Sequence, residues 1–87
     1  MTPEERILLI EERLRKKLHP SHLEVEDNSE EHRGHAGASG GAGHYTVIIS
    51  STELNSLTRV AAHQAIYAAL SDLIPHEIHA LKIKIIK

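Results

Sequence analysis

All five glycines of this 87-residue chain lie between Gly34 and Gly43. That Gly/Ala/Ser stretch can bury almost nothing and behaves as a loop. The core must therefore come from the two flanks, residues 1–33 and 44–87. At this length there is one domain, and it buries only about 60% of its unfolded surface. Such thin cores often lean on disulfides, a metal or a partner. There is no Cys, which excludes disulfides, thiolate catalysis and a self-contained thiolate cluster. No apolar run approaches the roughly 20 residues that span a bilayer. The opening Met1-Thr2-Pro3-Glu4-Glu5-Arg6 is acidic and polar, unlike a signal peptide. The expectation is a cytoplasmic protein with no membrane contact.

Apolar spacing in the flanks changes period in a fixed order. Thr2-Pro3-Glu4-Glu5 reads as a capping box with Pro at the first helical position. Ile7, Ile10, Leu14 and Leu18 follow as one helical stripe, and His19-Pro20 closes it. His22–Asp27 alternates as a strand with one wet face. After the loop, about residues 28–43, Tyr45, Val47 and Ile49 alternate again, and Ile48 on the other face predicts a central strand. Thr52–Leu57 predicts a short helix capped by Thr52. Thr58 caps a longer helix predicted to Ile74, with Val60, His63, Ile66, Tyr67, Leu70, Leu73 and Ile74 on its buried face. Pro75 stops it. Ile78–Lys87 alternates as a last strand, with His79, Leu81, Ile83 and Ile85 on one parity. The predicted class is α+β, a single αββααβ domain whose three-stranded sheet carries its helices on one face.

Charge narrows the function. Ten Lys and Arg face twelve Asp and Glu, and nine of those acids precede Gly34. No dominant basic patch marks a nucleic-acid binder. With no Phe or Trp, and only Tyr45 and Tyr67, base-stacking platforms are nearly absent. The unusual count is eight histidines, the side chain that most readily binds metals and titrates near neutrality. Three His-x-x-His pairs occur: His19/His22, His32/His35 and His76/His79. His19/His22 straddles a helix exit, where the dipole favours His. His76 follows Pro75 in a turn and reads as solvated, and His63 reads as a satisfied core residue. His32 and His35 stand in the loop with no packing role. They could converge with the strand-end His79 on a metal. No nucleophile elbow is present, so enzymatic chemistry has no candidate group. Four-residue segments bounded by glycine, such as Gly37-Ala-Ser-Gly40, match the nucleic-acid clamp of KH domains in letters only, because they join two strands and not two helices.

Several segments together resemble one family. Leu23-Glu24-Val25-Glu26-Asp27-Asn28-Ser29, the His32 and His35 loop, Gly43-His44-Tyr45-Thr46-Val47, Leu57-Thr58-Arg59-Val60, His63, Ile66-Tyr67-Ala68-Ala69-Leu70 and Ile78-His79-Ala80-Leu81 are similar to BolA-like proteins in order and spacing. The resemblance covers nearly all of residues 1–87 and implies a class II KH-like αββααβ domain. It implies a non-enzymatic partner of a monothiol glutaredoxin, the pair sharing a [2Fe–2S] cluster. Thiolates would come from the glutaredoxin and glutathione, and imidazoles from this chain, since His replaces Cys on one iron of Rieske centres. The implied metal ligands are His79 and a loop histidine, His32 with His35 as its rival. His44 takes a structural role. No cluster is expected on the isolated chain, which would be a monomer or weak homodimer. Ala62 and Gln64 stand where many members carry Arg beside the helical His, and the sequence ends at Lys87 where members commonly continue into a Thr-Pro-Glu-Trp-like tail. The alternative is a DNA-binding transcriptional regulator using the helix-turn-helix-like segment, with weak DNA affinity expected because the long helix offers only Arg59. Zinc binding by the same histidines is a third reading.

Overall fold

Thr2 sets the start of the first helix as its capping box predicts. In the computed structural model, which describes residues 2–28 and 43–86, α1 spans Pro3–Leu18. The Thr2 hydroxyl accepts the Glu5 N–H at 3.1 Å and donates to the Glu5 carboxylate at 3.2 Å. Arg15, Lys16 and Lys17 occupy the last turn, where the dipole favours cations. His19 ends the helix in the left-handed conformation, φ 47° and ψ 57°, and its N–H donates to the Arg15 carbonyl.

The remaining elements are β1 (His22–Asp27), β2 (Gly43–Ser50), α2 (Thr52–Asn55), α3 (Arg59–Ala69) and β3 (Ile78–Ile85). The sheet order is β1-β2-β3, so β2 is central, as the apolar Ile48 on its second face predicts. It runs antiparallel to β1 and parallel to β3. Register sorts the side chains into two faces. Val25, Val47 and Ile83 form one cross-strand row, and Leu23, Ile49 and Ile85 form another. These rows meet α1 and α3 in one core with Ile10, Leu14, Ile66 and Leu70. The intervening rows, Glu24–Ile48–Lys84 and Glu26–Thr46–Lys82, lie on the opposite face. Acids of β1 and lysines of β3 thus flank β2 on the face away from the helices.

Three sequence expectations are corrected. Ser51, not Thr52, caps α2: its hydroxyl accepts the Leu54 N–H and donates to the Leu18 carbonyl at 2.8 Å, stitching α1 to α2. The long helix stops at Ala69, not Ile74. Leu70 leaves helical geometry (φ −105°, ψ 11°), and residues 70–77 form turns whose Leu73 carbonyl accepts both the Glu77 and Ile78 N–H groups. The buried face of α3 is also different. Ala62, Ile66 and Ala69 point inward, whereas Val60 and Tyr67 are 66% and 43% exposed and His63 is half-buried. The alanines are the core residues because their small side chains let α3 lie close to the sheet and α1. The bulkier Val60 and Tyr67, seven residues apart, fall together on the outer side.

Candidate functional site

A break in strand register creates the site. Gly43 pairs with Ile78, but His44 pairs with Ala80, a shift between consecutive residues of β2. His79 is therefore the extra residue, a β-bulge at the entrance of β3. Strict alternation from Leu81 would turn His79 toward the core. The bulge instead lets Ile78 take the buried position, at 1% exposure, and leaves His79 exposed. Bulges commonly re-aim a side chain beside functional sites.

The imidazole beneath His79 belongs to His44. The ring centroids are 5.2 Å apart and the planes tilt by 55°. His44 is 6% exposed, so it serves as a buried support, in keeping with the structural role the sequence suggested. Its carbonyl accepts the Asn28 N–H at 2.7 Å, and the Thr46 hydroxyl donates to Asn28 Oδ1. The adjacent Gly43 N–H donates to the Glu77 carbonyl at 3.0 Å. Arg6 Nε bonds Glu77 Oε2 at 2.9 Å in a part-buried ion pair. The hydrogen bond to Glu77 raises the Arg6 pKa, against the opposing effect of burial. Helix α1 and the start of β2 are thereby fastened to Glu77, two residues before His79, while the end of β1 is fastened to His44 and Thr46 of β2.

The other histidines separate. His19 Nδ1 and His22 Nε2 each meet their own carboxylate, Glu53 and Glu24, both at 3.1 Å, so they do not converge. His76 is exposed, as expected for a turn. His63 is not the core residue the sequence suggested. It lines a groove of about 460 Å³ between α2, α3 and β3. His32 and His35 lie outside the described residues, as does most of the glycine-rich loop. Among the described residues no three His, Cys, Asp or Glu side chains are placed to hold a metal ion, and no helix is long and apolar enough to cross a membrane. The sequence marked His79 but not the bulge that exposes it. The only cue was the adjacent Ile78, whose apolar side chain breaks parity with Leu81.

Comparison with known proteins decides the family. Residues 14–87 match the model of the BolA-like protein family. The chain belongs to the BolA family. SufE-like protein 1, chloroplastic/mitochondrial, of Arabidopsis thaliana is 40% identical over 79 residues, covering 85% of this chain and 21% of that protein. The chain thus spans about a fifth of that relative's length. A DNA-binding transcriptional regulator BolA of Haemophilus influenzae is 32% identical over 73 residues, covering 84% of this chain and 68% of the relative. Among solved structures, the BolA domain of SufE1 from Arabidopsis thaliana superposes with a TM-score of 0.79 at 36% identity, over 92% of this chain and 88% of that one. The α+β fold with its mixed three-stranded sheet is the BolA fold. An iron–sulfur cluster of the kind the resemblance implies needs accessible neutral imidazole nitrogens where thiolates are absent. The exposed ring of His79, held on a fixed strand end, suits that requirement as one donor.

Proposed function

We propose that this BolA-family chain is a non-enzymatic partner of a monothiol glutaredoxin and gives imidazole ligands to a [2Fe–2S] cluster held between them. The observation that supports this reading is the bulge at His79. It holds an imidazole at the surface with a buried second ring behind it, an arrangement that serves no core-packing purpose. His79 is the fixed ligand. The second is His32 or its rival His35; the described residues on either side of that segment, Asn28 and Gly43, bond the His44 and Glu77 backbones beside His79. The cluster, when shared, supplies electron-transfer and iron-delivery chemistry; its thiolates belong to the glutaredoxin and glutathione. This chain's part is to present nitrogen donors and to orient them. The test is to mix the protein with a cluster-loaded monothiol glutaredoxin and record visible circular dichroism. New bands that vanish with His79→Ala are expected. A spectrum that His79→Ala leaves unchanged, with the protein folded, overturns the assignment.

The DNA-binding reading draws on the name of the Haemophilus relative. Nonspecific affinity rests on clustered cations that release counterions. The α2–α3 segment carries only Arg59, so binding is expected to be weak and to collapse as salt rises. Tight, sequence-selective gel shifts at physiological salt would reverse the ranking of the two readings.

A further inference from the structure

The outer edge of β3 carries information that the histidine site does not use. In a parallel pair each residue turns its N–H and C=O to the same side. Ile86 N donates to the Ile49 carbonyl at 2.9 Å, and Ile49 lies opposite Ile85. Lys82, Lys84 and Ile86 therefore direct their backbone groups to β2, while Leu81, Ile83 and Ile85 direct theirs outward. The Tyr67 hydroxyl donates to the Leu81 carbonyl at 3.4 Å, which occupies one of these outward positions and agrees with the assignment. Beyond Tyr67, the strand edge at Ile83 and Ile85 opens on the groove of about 460 Å³ beside α2 and α3.

The groove has a defined chemistry. Leu57, Ala62, Ile83 and Ile85 give it apolar walls. Leu57 is 42% exposed and extends the apolar wall of the groove to the surface. Arg59, His63 and Lys84 complete the lining, and among the described residues no carboxylate lines it. The side chain of Lys84 lies with that of Lys82 on the face away from the helices, so the edge of β3 is apolar toward the groove and cationic on its other face.

We propose that the β3 edge beside α3 is a docking site for an extended segment of a partner protein in which acidic and apolar residues alternate. The segment adds as a fourth strand. Its backbone pairs with the N–H and C=O groups of Ile83 and Ile85. Its apolar side chains enter the groove against Leu57 and Ala62, and its carboxylates, on the alternate positions, meet Lys82 and Lys84 on the other face. A peptide backbone fits this edge better than a nucleic-acid strand. A peptide supplies both donors and acceptors, whereas phosphates only accept and would leave the two carbonyls unmatched. Among the described residues no Phe, Tyr or Trp lines the groove to stack a base, and His63 is its single ring. The site is independent of the histidine corner, and its test does not involve a cluster or a glutaredoxin.

The test titrates the full chain into a fluorescein-labelled heptapeptide of alternating Glu and Val, followed by anisotropy and amide NMR. Saturable binding is expected, with the largest shifts and slowed amide exchange at Ile83 and Ile85. The double variant Lys82→Glu/Lys84→Glu should bind at least about tenfold more weakly, ~1.4 kcal/mol, with its thermal melt unchanged because both side chains are exposed. A peptide N-methylated on its pairing amides should not bind. The proposal is overturned if the heptapeptide does not saturate, if the charge-reversed variant binds it equally, if an alternating Lys and Val peptide binds as well, or if an oligo-deoxythymidine strand outcompetes the peptide in the groove.

Discussion

His44 and His79 lie with ring centroids 5.2 Å apart and planes tilted by 55°, one ring buried and the other at the surface. Their substitutions should therefore separate stability from function. His79→Ala removes an exposed side chain, and its effect on folding should stay within about 0.5 kcal/mol. His44→Ala empties a buried position and should cost about 2–4 kcal/mol. Urea melts of the two free variants measure both. If His79→Ala proves as destabilising as His44→Ala, the outer ring is a packing element and the functional reading loses its support.

Gly43 sits where the register shift begins, and a side chain there has no room. A Cβ built on it would overlap the ring of Tyr45 on the same face of β2. Tyr45 is 2% exposed and packs in the core, so the ring cannot swing into solvent. Gly43→Ala should destabilise by about 1–3 kcal/mol, as overpacked cores do. It should also disturb the amide resonance of Gly43, whose N–H meets the Glu77 carbonyl. Wild-type stability for this variant would mean that the bulge tolerates a wider spacing than the structure has.

The element order of this fold was legible because its signals are local. The Thr2 and Thr58 caps, the Ile10–Leu14–Leu18 stripe and the alternation through Tyr45, Val47 and Ile49 each act within a few residues. The errors came where tertiary contact decides. Val60 and Tyr67 look like core residues on hydrophobicity, yet the inward face of α3 belongs to Ala62, Ile66 and Ala69, because close approach of the helix favours small side chains over large ones. His63 was placed in the core by the same misplaced stripe and belongs to the groove. His79 could be singled out from sequence, but its exposure depends on a bulge set by pairing with β2, thirty-odd residues away. The groove that Leu57, Ala62, Ile83 and Ile85 share depends likewise on the packing of α3 beside β3.

His19 offers a test of the plain reading of the His19/His22 pair. It holds the left-handed conformation at the end of α1 with a φ of 47°, a region that costs most L-residues free energy and suits glycine. Its side-chain bond from Nδ1 to Glu53 Oε1 at 3.1 Å is exposed and contributes little. His19→Gly should stabilise the protein by about 0.5–1 kcal/mol and leave any cluster spectrum with the glutaredoxin unchanged. A loss of stability would show that the Glu53 contact outweighs the backbone strain. A loss of the cluster bands would show that the helix-exit histidine takes part in binding.

Tyr45 gives the fold an alkaline limit. Burial raises the pKa of its phenol above the ordinary value, and the nearby carboxylate of Asp27 adds to the rise, while the Arg6 guanidinium partly offsets it. The folded state therefore holds this proton more tightly than the unfolded chain. The resulting stability is fully present below the unfolded pKa of about 10 and is lost as pH rises through the higher folded value. Arg6 stays protonated across this window, because its bond to Glu77 raises its own pKa. Chemical denaturation at pH values from 8 to about 12 should show a flat plateau and then a decline in the wild type. In Tyr45→Phe the part of that decline owed to the phenol should vanish, so the difference between the two proteins should change with pH only above about 10. A constant difference across the whole range would mean that the phenol ionises equally in both states, and that the Arg6 guanidinium cancels the effect of burial.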